Sequence, residues 1–130
     1  MAKPLNTLDM MRALIGTPSV SSTNKTHDQS NLPVIHLLAD WLENLGFAVT
    51  IVPLPNHAGK ANLIATIGPC YKGAKGLVLS GHTDTVPYDD SKWQQDPFKL
   101  TEKNNHFYSL GSTDMKSFFA LAIDVASRFK

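Results

Sequence analysis

Two short stretches of the chain combine residue types that bind metal ions or move protons. The first, Gly81–Pro87, places His82 and Asp84 two residues apart, directly after the apolar run Gly76–Ser80. Residues i and i+2 of an extended chain point to the same side, so the imidazole and the carboxylate share one face. A carboxylate beside a histidine holds one ring nitrogen and leaves the other free for a metal ion. A turn histidine hydrogen-bonded to a neighbouring aspartate is the competing interpretation.

The second stretch, Gly111–Lys116, carries Asp114 where a predicted strand gives way to the last predicted helix. Aspartate is a preferred helix N-cap, so this residue taken alone favours a capping role. Ligands bind at strand ends in α/β sheets, however, and two such stretches in one short chain favour convergence of His82, Asp84 and Asp114. One histidine with nearby carboxylates suits zinc or a similar divalent ion. The sequence therefore offers a divalent-metal site, with capping by Asp114 as the alternative.

The elements that must position these stretches indicate an α/β fold, in which helices cover a mixed sheet. Hydrophobic spacing predicts three helices, capped by Asn6 and Asn31 in the first two cases, and several strands. The predicted helices span residues 6–15, 31–45 and 115–129, and the predicted strands span 47–52, 61–67, 76–81, 98–101 and 106–110.

Two features of these elements are specific enough to check. The run Gly76–Gly81 has the composition of a strand buried on both faces. The last helix should turn Phe118, Phe119 and Val125 toward the core, with Lys116 and Ser117 on the opposite face. Phe129 continues the apolar face of that helix.

Composition limits the class of protein. With 130 residues, 42% of them hydrophobic and 18% charged, the chain fits one globular domain. The formal net charge is +1 and the chain has no run of basic residues, so its charge does not favour nucleic-acid binding. No apolar run approaches the ~20 residues needed to span a membrane. The single cysteine, Cys70, excludes an internal disulfide and favours a reducing compartment. We therefore expect a soluble, cytoplasmic protein.

Three motifs carry a resemblance to a known family. Ala13–Ser21, Gly81–Pro87 and Gly111–Ala120 resemble the amino-terminal part of the M20 metallopeptidases and amidohydrolases. The segment Asp90–Phe98 is more similar to the branch that acts on acetylornithine than to the branch that removes succinyl groups from succinyl-diaminopimelate. The similarity covers essentially all 130 residues.

This resemblance implies a fold, a reaction and residue roles. Residues 1–130 correspond to the amino-terminal portion of a zinc-peptidase-like catalytic domain, without its remainder or the dimerisation domain. The family hydrolyses N-acyl amino acids with two Zn²⁺ ions, or Co²⁺ in their place, and the intact protein is expected to be a homodimer. His82 then corresponds to a metal ligand, Asp84 to the catalytic residue that orients its ring, and Asp114 to the carboxylate bridging both ions.

The sequence departs from the family pattern in its glutamates. Members of the family use two adjacent glutamates, the first as general base and the second as a metal ligand. This chain has two glutamates, Glu43 and Glu102, which are far apart. We therefore expect these 130 residues alone to be inactive. Desuccinylase or general aminoacylase specificity, and a non-catalytic remnant, are the alternatives.

Overall fold

The computed structural model describes residues 6–69, 71, 73 and 75–128. The α/β class predicted from the sequence is confirmed. Cys70 and Phe129 lie outside the described residues. Apart from a short 3-10 helix at Asp90–Lys92, the elements are α1 (Thr7–Ile15), α2 (Leu32–Asn44), β1 (Ala48–Pro53), β2 (Ala61–Thr66), β3 (Thr101–Lys103), β4 (His106–Tyr108) and α3 (Lys116–Ala126).

The ends of α1 and α2 follow local signals in the sequence. The side chain of Asn6 accepts a hydrogen bond from the backbone N–H of Asp9, as an N-cap should. A proline occupies the first turn of α2, and Gly46 follows that helix with a left-handed φ of 86°. Asn31 occupies the N-cap position of α2, as predicted, but its side chain makes no capping hydrogen bond. The Asn31 amide instead pairs with the backbone N–H and carbonyl of Ala61, each at 2.9 Å.

The three helices meet in one hydrophobic core, in which α1 packs against α3 and α2 packs against the β1–β2 hairpin. The core side chains of all three helices are almost fully withdrawn from solvent, which provides the main stabilising free energy of the fold. They are Met10, Leu14, Val34, Leu38, Trp41, Ala120 and Ile123.

The strands form two antiparallel pairs rather than one continuous mixed sheet. Strand β1 pairs with β2 from Ala48 opposite Thr66 to Pro53 opposite Ala61, and β3 pairs with β4 as the second hairpin. One isolated parallel bridge joins Val20 to Thr85. The two hairpins predicted from the turn composition are therefore confirmed.

The predicted buried strand over Gly76–Gly81 is wrong. These residues have no strand conformation, and Leu77 and Val78 are 83% and 87% exposed. Among the described residues, no strand pairs with this run. An apolar composition favours a strand only where a neighbouring strand takes up the backbone hydrogen bonds.

The predicted orientation of the last helix is also wrong in part. Lys116 and Ser117, expected on the polar face, are buried, whereas Val125 is exposed and Phe118 and Phe119 are half-buried. Lys116 is buried because its aliphatic stem packs beside a glycine and its ammonium reaches a backbone carbonyl. Helical periodicity, which counts lysine as polar, places this residue on the wrong side. No helix among the described residues is both long and apolar enough to cross a membrane.

Candidate metal centre

His82 and Asp84 stand on one side of an extended segment, as their spacing predicts. Exposure alternates along this segment, with Thr83 and Thr85 buried and His82 and Asp84 exposed. The segment is held at Thr85, which forms the parallel bridge to Val20. This alternation is the two-residue period of extended backbone, and it presents the imidazole and the carboxylate to solvent together.

Gly81, which precedes His82, lets this segment approach the start of α3. A Cβ atom at Gly81 would stand 2.9 Å from Met115 Cε and 3.0 Å from both Phe118 Cδ1 and Phe119 Cζ. A side chain here would first displace these side-chain atoms. The two stretches that carry the candidate ligands therefore approach each other closely at this glycine.

Asp114 lies in the loop between β4 and α3 and does not cap the helix. Helix α3 begins at Lys116, and its N-cap position is Met115, which makes no side-chain capping bond. The peptide bond between Asp114 and Met115 is cis. The Asp114 carboxylate instead points to the imidazole, with its Oδ1 atom 2.9 Å from His82 Nε2. The capping interpretation of Asp114 is wrong, and the structure brings together two residues that are 32 positions apart in sequence.

The second ring nitrogen of His82 faces Asp84. Nδ1 lies 3.1 Å from the main-chain oxygen of Asp84 and 3.3 Å from its carboxylate Oδ1. Partial burial lowers the pKa of His82, but the contacts with the Asp84 carbonyl and the Asp114 carboxylate outweigh it, so the pKa lies above its ordinary value. With Nδ1–H donating to Asp84, the Nε2 position is the one left for a proton or a metal ion.

The donor atoms of His82 and Asp114 fit a divalent ion in kind and in spacing. Two ligands about 2.0–2.1 Å from a tetrahedral Zn²⁺ stand roughly 3.3 Å apart. The observed 2.9 Å between Nε2 and Oδ1 requires a shift of only a few tenths of an ångström. Both side chains are open to solvent, with His82 46% and Asp114 81% exposed. An ion could therefore reach them without rearrangement of the core.

The described residues supply only part of a metal centre. No group of three or more histidine, cysteine, aspartate or glutamate side chains converges among them. A cavity of about 230 Å³ beside His82 and Asp114 is walled by Asp84, Val86 and Trp93, among others. Glu43 on α2 and Glu102 on β3 are exposed and do not line this cavity. The cavity therefore receives no glutamate from this part of the chain.

Sequence reasoning missed the buried polar residues behind the two candidate ligands. Lys116 is 1% exposed, and its Nζ donates to the carbonyl of Thr17 at 2.6 Å. Burial lowers the pKa of Lys116 to about 8. Ser19 is also 1% exposed, and its Oγ donates to the carbonyl of Thr83 at 2.6 Å. Both residues lie within the motifs of the family resemblance, and that position is the signal that could have identified them.

Comparison with known proteins relates this chain to one family. Residues 78–130 match the model of peptidase family M20/M25/M40. The acetylornithine deacetylase of Proteus mirabilis is 55% identical over 117 residues, and that of Pasteurella multocida is 53% identical over 121 residues. The chain matches the crystal structure of human carnosine dipeptidase 1 with a TM-score of 0.63 and 25% sequence identity.

These matches cover most of this chain and a small part of each relative. The two deacetylases align with 90% and 93% of the chain, but with 30% and 31% of their own lengths. The dipeptidase aligns with 92% of the chain and 27% of its own length. The chain thus spans about a third of the relatives that it matches.

Proposed function

Because the chain belongs to the M20 peptidase family, we propose that it carries part of the metal centre of an amidohydrolase. The proposed reaction is hydrolysis of N-acetyl-L-ornithine to ornithine and acetate, as in arginine biosynthesis. The names of the relatives at 52–55% identity support this substrate. The observation that carries the proposal is the 2.9 Å contact between His82 Nε2 and Asp114 Oδ1, made by two segments distant in sequence.

His82 and Asp114 are the residues that would hold the ions, Zn²⁺ or Co²⁺. A divalent ion in such a place supplies a Lewis acid, which polarises an amide carbonyl and lowers the pKa of water. Asp84 orients His82 by accepting the Nδ1–H, so that the Nε2 lone pair points toward Asp114. Asp114 would supply a carboxylate ligand and negative charge, both of which favour binding of a divalent cation.

Proton transfer requires a base that these residues do not supply. Asp84 and Asp114 are the carboxylates among the described residues that line the cavity, and both face His82. We propose that the base belongs to the part of the relatives' length that this chain does not span. Trp93, half-buried at the wall of the cavity, offers an apolar surface to the substrate. We also propose that the intact protein is a homodimer in the cytoplasm.

A chimeric enzyme tests the proposal. The aligned segment of the Proteus mirabilis deacetylase is replaced by this chain, and acetate release from N-acetyl-L-ornithine is measured with saturating Zn²⁺ or Co²⁺. We expect activity in the chimera and its loss in the His82→Ala and Asp114→Ala variants. His106→Ala is the matched control, because this exposed histidine also places Nδ1 on a carbonyl two residues away, at 2.7 Å, outside the cavity.

Two results would contradict the proposal. Equal activity in the chimera and in its His82→Ala variant would show that His82 is not a metal ligand. A chimera that hydrolyses N-succinyl-diaminopimelate but not N-acetyl-L-ornithine would show that this segment belongs to a desuccinylase.

A further inference from the structure

The first sequence motif, Ala13–Ser21, contains no metal-ligating side chain, yet part of it contacts both stretches of the candidate centre. This part is Thr17–Ser21, which connects α1 to the polar loop that follows. It passes behind the exposed faces of His82 and Asp114, on the buried side of the segments that carry them. Its contacts are hydrogen bonds rather than apolar packing alone.

Three hydrogen bonds join Thr17–Ser21 to the first stretch. Ser19 Oγ donates to the carbonyl of Thr83 at 2.6 Å, and the N–H of Thr85 donates to the carbonyl of Ser19 at 3.1 Å. The N–H of Ser21 donates to the carbonyl of Thr85 at 2.8 Å. These bonds fix the backbone on both sides of Asp84 and directly after His82.

One buried side chain joins the same segment to the second stretch. Lys116 Nζ donates to the carbonyl of Thr17 at 2.6 Å, and the Lys116 N–H donates to the carbonyl of Gly111 at 2.8 Å. The second bond closes the loop that contains Asp114. A Cβ atom at Gly111 would lie 2.8 Å from Thr85 Cγ2 and 3.3 Å from Lys116 Cδ, so the two stretches touch at this glycine.

We propose that Thr17–Ser21 is a positioning segment, which sets the separation of His82 and Asp114 through Ser19 and Lys116. This inference rests on the proposed function, because it assigns the segment a role toward the metal centre. The candidate ligands are exposed, so packing around their own side chains cannot hold them. Contacts among His82, Asp84 and Asp114 orient these side chains, and the hydrogen bonds behind them hold the backbone that carries them.

The use of a lysine for this contact supports a positioning role. Burying an ammonium group costs free energy that an apolar side chain of similar length would not. At this position the cost is offset by one directional bond, which joins residues 99 positions apart. A methionine would fill the same space, but it would leave the Thr17 carbonyl without that donor and the loop free to shift.

The first test measures the apposition of the two stretches without metal. Because Gly81 lies against Met115 Cε, the wild-type chain should give a nuclear Overhauser effect between the Gly81 α-protons and the Met115 methyl group. We expect this signal to weaken at least twofold in Ser19→Ala and in Lys116→Met. Ser19→Thr, which retains the hydroxyl group, should restore it.

Matched controls exist for both substitutions. Ser30 Oγ donates to the carbonyl of Gly59 at 2.7 Å, and Lys60 Nζ donates to the carbonyl of Gln29 at 2.6 Å. Neither side chain bonds to the stretches that carry His82 and Asp114. Ser30→Ala and Lys60→Met therefore remove hydrogen bonds to main-chain carbonyls elsewhere, together with the Asp28 ion pair in Lys60→Met, and the Gly81–Met115 signal should not change in them.

The second test is Co²⁺ titration followed by visible absorption. We expect Ser19→Ala and Lys116→Met to raise the dissociation constant about 3- to 30-fold, the range for lost supporting hydrogen bonds, and to alter the Co²⁺ spectrum. The Ser30→Ala and Lys60→Met controls should match the wild type. If Lys116→Met does not fold, the comparison of Ser19→Ala with Ser19→Thr decides whether Thr17–Ser21 has a positioning role.

The outcomes separate the two proposals. A wild-type chain that binds no Co²⁺ contradicts the metal centre, whereas the Gly81–Met115 signal still decides the role of Thr17–Ser21. Folded Ser19→Ala and Lys116→Met variants that keep both this signal and the Co²⁺ affinity would overturn the positioning role. If neither variant folds, unchanged exchange of the Ser21 and Thr85 amide protons on Zn²⁺ addition to the wild type would overturn it.

Discussion

Residues 6–66 and residues 76–115 satisfy their backbone hydrogen bonds in different ways. The first region contains α1, α2 and the β1–β2 hairpin, whose bonds join neighbours in sequence. The second contains one hairpin of three-residue strands and long irregular segments, one of which is hydrogen-bonded to the distant residues Ser19 and Ser21. The helical framework and the candidate metal centre therefore lie mainly in different parts of the chain. Substitutions should affect them differently.

The largest expected effect concerns activity in the second region. We expect no measurable acetate release from N-acetyl-L-ornithine by this 130-residue chain, even with saturating metal. A positioned base is typically worth ~10²–10⁴ in rate, and the described residues lining the cavity include no glutamate. Robust turnover that disappears in His82→Ala, but not in His106→Ala, would show that the second region is a complete active site.

The next effect concerns the core of the first region. Leu14 is fully buried between helices, so Leu14→Ala should lower the free energy of unfolding by about 2–5 kcal/mol. Leu77 is 83% exposed, so Leu77→Ala should change the free energy of unfolding by less than about 0.5 kcal/mol. Urea unfolding followed by circular dichroism measures both. Equal losses would mean that the run Gly76–Gly81 contributes to the core after all.

The two regions also differ in how far sequence predicts them. The Asn6 cap, the glycine after α2 and the β1–β2 hairpin follow from neighbouring residues, and all three are confirmed. In the second region, the sequence predicts that His82 approaches Asp114, and the structure places Nε2 2.9 Å from Oδ1, although the described residues 76–81, directly before His82, form no strand. Their roles as ligands stay a prediction.

The errors share one physical cause. A strand at Gly76–Gly81 and an exposed Lys116 are both plausible from local composition. In both cases contacts with distant parts of the chain decide the outcome. No strand among the described residues pairs with Gly76–Gly81, and the Thr17 carbonyl accepts a hydrogen bond from Lys116. Local sequence patterns do not reveal such long-range contacts, so they predict the wrong structure where these contacts determine it.

A smaller effect concerns exposed apolar surface. Leu77, Val78 and Leu79 leave a continuous apolar run in solvent, so the chain should bind a hydrophobic dye in its folded state. The double substitution of Leu77 and Val78 by serine should remove most of the fluorescence. Ile64→Ser, which removes one exposed side chain from β2, should remove little. No dye binding by the wild type would contradict this prediction.

The pH dependence of metal binding comes next. Protons compete with metal for His82 Nε2, and the pKa of His82 lies above its usual value. Affinity should therefore be highest above that pKa and fall about tenfold per pH unit below it, beginning at a higher pH than for a free histidine. Asp84→Asn should move the decline to lower pH, whereas Asp40→Asn, on the exposed face of α2, should not. Zn²⁺ calorimetry between pH 5 and 8 measures this.

The smallest effect is an ion pair in the first region. Lys60 Nζ lies 2.8 Å from Asp28 Oδ1, and hydrogen bonds from Lys60 and the Ser22 N–H lower the pKa of Asp28. A carboxyl group with a lowered folded pKa stabilises the fold above its unfolded pKa, and this stabilisation is lost as pH falls through the folded pKa. The pair is solvent-accessible, so salt should weaken it.

Substitution at Asp28 tests that small contribution. Asp28→Asn should lower stability slightly at pH 7 and flatten its decline in acid, with added salt reducing the difference from wild type. Asp40→Asn, an exposed acid on α2, is the matched control. Urea unfolding at pH 7 and pH 3 provides the measurement. A wild-type decline in acid that survives unchanged in Asp28→Asn would assign it to other carboxylates. The acid sensitivity of the first region would then come from those carboxylates, and the Asp28–Lys60 pair would contribute nothing measurable.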